Sequence, residues 1–283
     1  MNKVIVITGT SSGFGTLMVK TFSKAGHTVI ATMRGTKTKN EAIAKELAEL
    51  PGVDALELDV TDDHSVKTAV EYIIERYKKI DVVVNNAGVH GNGFLEGYSV
   101  AQFQKTMDIN VYGILRVYHE VLPAMRARKE GLIINISSSA GHFALPLQAP
   151  YNVSKHAVEA LTEGTYAELA AQGIENVLLA PGPFLTELFS KEGINGDREG
   201  IEDAYGDFFQ RTMQQTGEKF GVVLNAQKPN PQLVADAALA LIDMAKGTRP
   251  LRTAVDPIAQ GIELEFDQIT TDLKKRWIGS YGL

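Results

Sequence analysis

The chain has 283 residues, 44% hydrophobic and 22% charged, with no cysteine and a formal net charge of −6. That length buries a sizeable core and that composition excludes global disorder. The acidic balance argues against a nucleic-acid or anionic-membrane binder, and the missing thiols exclude disulfides, thiolate catalysis and Cys-based metal sites.

In chain order, the first apolar run, Val4–Ile7, breaks at Thr8-Gly9. That is too short for a signal-peptide core, and no apolar stretch reaches membrane-spanning length, so a soluble cytoplasmic protein is expected. Further short apolar runs follow at Val29–Met33, Ala55–Leu58, Val82–Val84, Leu132–Ile136 and Val177–Ala180. Amphipathic helical patterns separate them, at 13–25, 39–50, 63–79, 100–128 and 151–172. Strands buried on both faces read as continuous Val/Ile/Leu runs, and this alternation implies right-handed βαβ units on a parallel sheet. From 184 to 229 the rhythm changes to an aromatic-bearing helical stretch with Tyr205, Phe208 and Phe209 between Gly-rich turns. The pattern resumes with a helix at 231–245, a strand near Thr253–Val255 and a last helix at 258–276. The expected architecture is α/β, a doubly wound, Rossmann-like parallel sheet of about seven strands. It forms a single domain over 1–283, with a helical substrate lobe inserted near 184–229.

The turn after the first strand, Thr8-Gly9-Thr10-Ser11-Ser12-Gly13-Phe14-Gly15, fits two motifs. Gly9 to Gly13 spells G-x-S-x-G, the elbow that presents a nucleophilic serine in a hydrolase. Gly9, Gly13 and Gly15 also make a glycine-rich phosphate cradle at the start of a helix. Position counts heavily against the hydrolase, because the elbow follows the first strand, ahead of any other strand that could supply an oxyanion loop. A dinucleotide site needs a partner at the end of the second strand, where an acid binds the ribose of NAD and a base the 2′-phosphate of NADP. No Asp or Glu occurs from Thr16 to Asn40, whereas Arg34 ends the strand and Lys37 and Lys39 follow. NADP(H) is therefore favoured over NAD(H).

Other motifs follow in a fixed order: Asp59-Val60, Asn85-Asn86-Ala87-Gly88, Asn110, Ser138, Tyr151-x-x-x-Lys155, Pro181-Gly182 and Thr186. With nine tyrosines, a Y-x-x-x-K match arises by chance in roughly every second such chain. Taken singly, each residue also has a plain structural reading: Tyr151 as helix packing, Lys155 as a solvated charge, Ser138 as strand-end loop chemistry. The ordered set resembles the short-chain dehydrogenase/reductase family, closely over residues 1 to about 190 and loosely over 230–257. Phe14 stands where that family carries Ile or Leu, and the segment 190–229 matches no pattern.

Tyr151 and Lys155 are four residues apart on one helix, so they share a face. A phenol near pKa 10 needs an ammonium beside it to exchange protons at neutral pH; lowering it by three units takes about 4 kcal/mol. The resemblance implies that Tyr151 is the general acid/base, that Lys155 tunes it and holds the nicotinamide ribose, that Ser138 orients the carbonyl and that Asn110 supports a water relay. It also implies that Gly9, Ser11, Ser12, Gly13, Phe14, Gly15, Arg34, Asp59, Val60, Asn86, Ala87, Gly88, Pro181, Gly182 and Thr186 line the cofactor site, with Asn85 structural. Candidate substrate contacts are His90, Phe94, His142, Phe143, Leu145, Gln148 and Phe184. His142 reads either as a polar anchor or as a rim histidine.

No cation stands out among these substrate contacts, so a neutral, fairly apolar ketone or secondary alcohol is the expected substrate. The six histidines (27, 64, 90, 119, 142, 156) form no H-x-x-x-H pair, so no metal is expected. The resemblance implies a homodimer or homotetramer. The rival readings are a noncatalytic NADP-binding sensor of the same fold and a serine hydrolase built on the GTSSG elbow.

Overall fold

The computed structural model describes residues 2–186, 193–259 and 261–282. Seven parallel strands form one sheet: β1 (Val4–Thr8), β2 (Thr28–Met33), β3 (Val53–Glu57), β4 (Val82–Asn85), β5 (Gly131–Ile136), β6 (Ile174–Pro181) and β7 (Arg252–Val255). Their order is β3-β2-β1-β4-β5-β6-β7, the doubly wound sheet expected. Every residue of β1, β4 and β5 is buried, which is why these strands read as mainly apolar runs, with Thr8, Asn85 and Asn135 as their polar members.

Helices α1 (Gly13–Lys24) and α2 (Glu41–Ala48) cover one face together with α9 (Gln232–Asp243). Met18, Phe22, Leu47 and Val234 form that core layer. Helices α3 (Asp63–Tyr77), α5 (Gly113–Arg128) and α6 (Ala149–Ala170) cover the other, through Val66, Ile73, Val117, Val121 and Val158. Each fully buried side chain of this kind contributes about 1.5–3 kcal/mol. The chain winds outward from β1 to β3 and then returns to β4 beside β1. The crevice at the carboxyl ends of β1 and β4 is the topological switch point, where ligands of such sheets bind.

Three departures from the sequence expectation have a visible cause. The helix expected over 100–128 is α4 (Val100–Met107), a π-helical turn (Asp108–Tyr112) and then α5. The wide turn carries Asn110, whose amide Oδ1 accepts from Val89 N at 2.8 Å and whose Nδ2 donates to Val89 O at 3.0 Å. A tertiary contact thus takes a residue out of the regular ladder. Helix α6 starts two residues early because Pro150 is tolerated in a first turn. The last helix, α10 (Ile262–Ser280), starts later than 258. The Asp256 carboxylate accepts from Ile258 N and Ala259 N, and Gly261 then enters the helix at φ 90°.

Within 184–229 the described residues form α7 (Ile201–Tyr205) and α8 (Asp207–Gln227), separated by Gly206; residues 187–192 of that lobe lie outside the described residues. Among the described residues no helix is long and apolar enough to cross a membrane, and no group of three or more His, Asp or Glu is placed to hold a metal ion.

Candidate active site

The glycine turn is bound to the end of β4. Gly9 has φ 69°, and a Cβ there would lie 2.7 Å from the Ala87 Cα. Only glycine accepts both the left-handed backbone and that approach. A Cβ on Gly15 would overlap the Gly9 carbonyl oxygen. Asn86 Nδ2 donates to Thr8 O and Gly9 O at 2.9 Å each, and Thr8 Oγ1 accepts from Asn86 N and Ala87 N at 3.0 Å. Helix α1 begins here with no acidic side chain in its first turn, so its positive end faces the crevice.

The crevice is a cavity of about 470 Å³ that runs from this turn to Tyr151. Gly9, Ser11, Ser12, Gly13, Phe14, Arg34, Asp59, Val60, Asn86, Ala87, Gly88, Pro181, Gly182 and Thr186 all line it. Gly15 supports the turn from beneath. These features fit a dinucleotide: a tight turn whose Gly9 and Gly15 leave no room for a Cβ, a helix N-terminus for pyrophosphate, and cations at one end.

The β2 end holds more than was anticipated. Arg34 is exposed, and Lys39 and Asn40 line the same wall. Glu57, opposite Met33 in the β2–β3 register, accepts from Gly35 N at 2.6 Å, Thr36 N at 2.7 Å and Thr36 Oγ1 at 2.6 Å. Partial burial pushes its carboxyl up, but the Thr36 and Gly35 donors outweigh that and hold it below the ordinary range. An acid therefore does stand at this turn, contributed by β3. Its oxygens are engaged in shaping the loop behind Arg34. No spacing rule along the β1–β2 unit could find it.

At the other end, Ser138, Tyr151 and Lys155 line the cavity. Ser138 follows β5 with extended backbone, its Oγ accepting from Ala140 N at 3.2 Å. Helix α6 presents Tyr151 and Lys155 on one face, with the Lys155 Nζ 5.6 Å from the centre of the Tyr151 ring. Lys155 Nζ donates to Ile136 O at 2.8 Å. Burial pushes the Tyr151 phenol up, and a hydrogen bond with the Ser138 side chain pulls it back. Burial pushes the Lys155 ammonium down to about 8, against the raising field of Glu159. Tyr151 is thereby held as a phenol with the Lys155 ammonium on the same helix face. Asn110 does not line the cavity but sits directly beneath. A Cβ on Gly88 would meet Asn110 Oδ1 at 3.4 Å and Lys155 Nζ at 3.9 Å, and Asn110 Nδ2 donates to Ser154 Oγ at 2.9 Å.

The substrate candidates divide. His90, Leu145, Gln148 and Phe184 line the cavity, as do Gly193 and Phe220, which sequence reading did not single out. His90 packs edge-on to Tyr151 at 4.8 Å; burial lowers its pKa, partly offset by a hydrogen bond with Gln148. Phe184 is fully buried against Phe14 at 5.6 Å. Phe94, His142 and Phe143 do not line the cavity. Phe94 stacks on Tyr205 at 4.7 Å and on Phe208 at 5.8 Å, tying its loop to the lobe. His142 and Phe143 pack against Phe266 of α10 at 4.8 and 5.0 Å. Apolar partners from distant segments claimed these rings. Asn85 is structural as expected, donating to Asn135 Oδ1 at 2.8 Å within the sheet.

A family model described as short chain dehydrogenase matches residues 3–195. The chain is 33% identical to the 3-ketodihydrosphingosine reductase of Bacteroides thetaiotaomicron, over 91% of this chain and 89% of that protein. Its fold is similar to a short-chain dehydrogenase from Streptomyces avermitilis, with TM-score 0.76, 30% identity and coverage of 99% and 98%. It is also similar to an F189W actinorhodin polyketide ketoreductase solved with NADPH, with TM-score 0.75, 27% identity and coverage of 90% and 95%. Sequence, sheet order and cleft agree: the chain is an oxidoreductase that belongs to the short-chain dehydrogenase family.

Proposed function

We propose that the chain is an NADP(H)-dependent ketoreductase that interconverts a neutral, fairly apolar ketone and its secondary alcohol. One observation carries this reading: Ser138, Tyr151 and Lys155, with the Lys155 Nζ 5.6 Å from the Tyr151 ring centre, converge at one end of a cleft whose other end is the glycine turn. When bound, the nicotinamide supplies the hydride; the chain supplies position and field.

In this reading Ser138 donates to the carbonyl oxygen and fixes its place, which stabilises the charge that develops there. Tyr151 delivers the proton to that oxygen in reduction and withdraws it in oxidation. Its phenol is the correct form for the first step, and the Lys155 ammonium stabilises the phenolate left behind. Asn110 holds the backbone at Val89, and with it the floor under Gly88 and Lys155. Arg34, with Lys39 beside it, receives the 2′-phosphate of NADP.

The substrate class follows from the wall around Tyr151, where His90, Leu145, Gln148 and Phe220 present one neutral imidazole, one amide and apolar surface. The cations among the described lining residues other than Lys155 are Arg34 and Lys39, at the β2 end. The names of the two proteins above, a 3-ketodihydrosphingosine reductase and a polyketide ketoreductase, support ketone reduction. A homodimer or homotetramer through α4, α5 and α6 belongs to the same proposal; Tyr112, Val153 and Tyr166 are exposed there, and a monomer by light scattering would count against it. The function itself is tested by adding NADPH and a panel of ketones to the purified chain and following nicotinamide absorbance. Tight NADPH binding with no turnover on any carbonyl would replace the enzyme with a sensor.

A further inference from the structure

Beneath the catalytic helix lies a buried ionic cluster that the reading above leaves unused. Arg252, at the start of β7, reaches Glu159 of α6 at 3.3 Å, Glu263 of α10 at 2.6 Å and Asp267 of α10 at 3.0 Å. The side chains of Arg252, Glu159 and Glu263 are only 7%, 6% and 3% exposed. His142, from the turn after Ser138, places Nε2 3.6 Å from Glu159 Oε2 and Nδ1 3.4 Å from Asp267 Oδ1. The packing is close: a Cβ on Gly141 would meet Glu159 Cγ and Ser137 Oγ at 2.8 Å each.

The charges in this cluster do not balance. One guanidinium faces three carboxylates, and burial with Arg252 nearby pushes the His142 imidazole down to about 4, so it adds no positive charge. A buried set with surplus negative charge is a poor stabiliser by itself. The compensating charge available on α6 is Lys155, one helical turn before Glu159, which puts the two about 6 Å apart along the axis. Lys155 is itself buried, and its ammonium is hydrogen-bonded to a carbonyl oxygen, not to a carboxylate.

We propose that Glu159, held in place by Arg252, is a positioning residue whose carboxylate is the counter-charge that keeps Lys155 an ammonium beside Tyr151. Burial, the larger effect, leaves the Glu159 carboxyl above its ordinary range, and Arg252 acts against that rise, so the same guanidinium that fixes the side chain also favours its charged form. The groups facing Glu159 are Arg252 from β7, His142 and Ser137 from the segment after β5, Glu263 and Asp267 from α10, and Lys155 and Glu163 on α6 itself. Glu163 is paired with Lys274 at 2.5 Å. Helix α10 and the edge strand are thereby coupled to the catalytic base pair. This inference rests on the assignment of Lys155 as the partner of Tyr151.

The test reads Lys155 directly. Trace acetylation of the cofactor-free chain with acetic anhydride is followed across pH by mass spectrometry of the Lys155 peptide, in wild type, E159Q, E159M, E159D and D267N. E159M serves if the buried amide of E159Q prevents folding. Loss of the carboxylate should move the Lys155 titration down by about one pH unit. E159D keeps the charge, and D267N alters the same cluster without touching the residue beside Lys155; both should stay within about 0.3 unit of wild type. The alkaline limb of ketone reduction should shift with the titration in E159Q. A Lys155 titration unchanged in E159Q and E159M, or moved equally by D267N, overturns the proposal. A shifted titration in a chain that reduces no ketone would overturn the ketoreductase reading alone.

Discussion

Replacing Arg34 with serine tests how the β2 end chooses its cofactor. Arg34 is exposed at the end of β2, and the turn behind it is held by the three hydrogen bonds from Gly35 and Thr36 to Glu57. R34S therefore leaves the loop in place and removes only the guanidinium. Hydrogen bonds to charged groups contribute about 1.5–3 kcal/mol. Solvent screening at an exposed site argues for the lower end, so R34S should weaken NADPH binding by about tenfold. R34S/K39S should approach a hundredfold if the two cations act independently. NADH lacks the 2′-phosphate, and its affinity should stay within about twofold. Fluorescence titration of both cofactors, at low and at moderate salt, measures this; the NADPH loss should shrink as salt rises. Equal losses for NADPH and NADH, or none for either, would refute the assignment of this end to the phosphate.

Two further perturbations probe the cradle and the ionic cluster. G9A places a Cβ 2.7 Å from the Ala87 Cα on a backbone at φ 69°; left-handed strain of about 1–2 kcal/mol and forced repacking of about 1–3 kcal/mol should lower the unfolding midpoint and weaken NADPH and NADH alike, as thermal shift with each cofactor would show. For His142 the folded pKa, about 4, lies below the unfolded value, near 6.5. The unfolded chain therefore takes up a proton first, and stability is lost as pH falls from 6.5 toward 4, by about 3 kcal/mol in full. Glu159 and Glu263, whose carboxyls burial pushes up, act in the opposite direction, so the comparison is wild type against H142Q. Urea unfolding at pH 7 and pH 4.5 should show the gap between the two narrowing or reversing at the lower pH.

The parts of this molecule legible along the chain are those set by local pattern or by motif order. The β1, β4 and β5 runs were visible because a strand buried on both faces has no polar alternation. The cradle was visible because Gly9 and Gly15 meet backbone so closely that no other residue fits. What stayed hidden depends on segments far apart in sequence. Glu57 reaches the β2 turn across a strand register, so the residues between Thr16 and Asn40 carry no sign of it. Asn110 sits in a π-helical turn because of its bonds to Val89, which helix periodicity does not encode. Phe94 and His142 looked like pocket residues from their place in the loops, yet Tyr205, Phe208 and Phe266 drew them elsewhere. Arg252, Glu159, Glu263 and Asp267 are ordinary surface residue types whose burial is created only when α10 closes over β7.

Whether Tyr151 transfers the proton in ketone reduction is read by one paired measurement. Wild type and Y151F are each titrated with NADPH and then assayed with a neutral, apolar ketone. Proton transfer by Tyr151 gives equal NADPH affinity within about twofold, and a loss of turnover in Y151F of about a hundredfold to ten-thousandfold. A Y151F chain that binds NADPH and still reduces the ketone at the wild-type rate would contradict it.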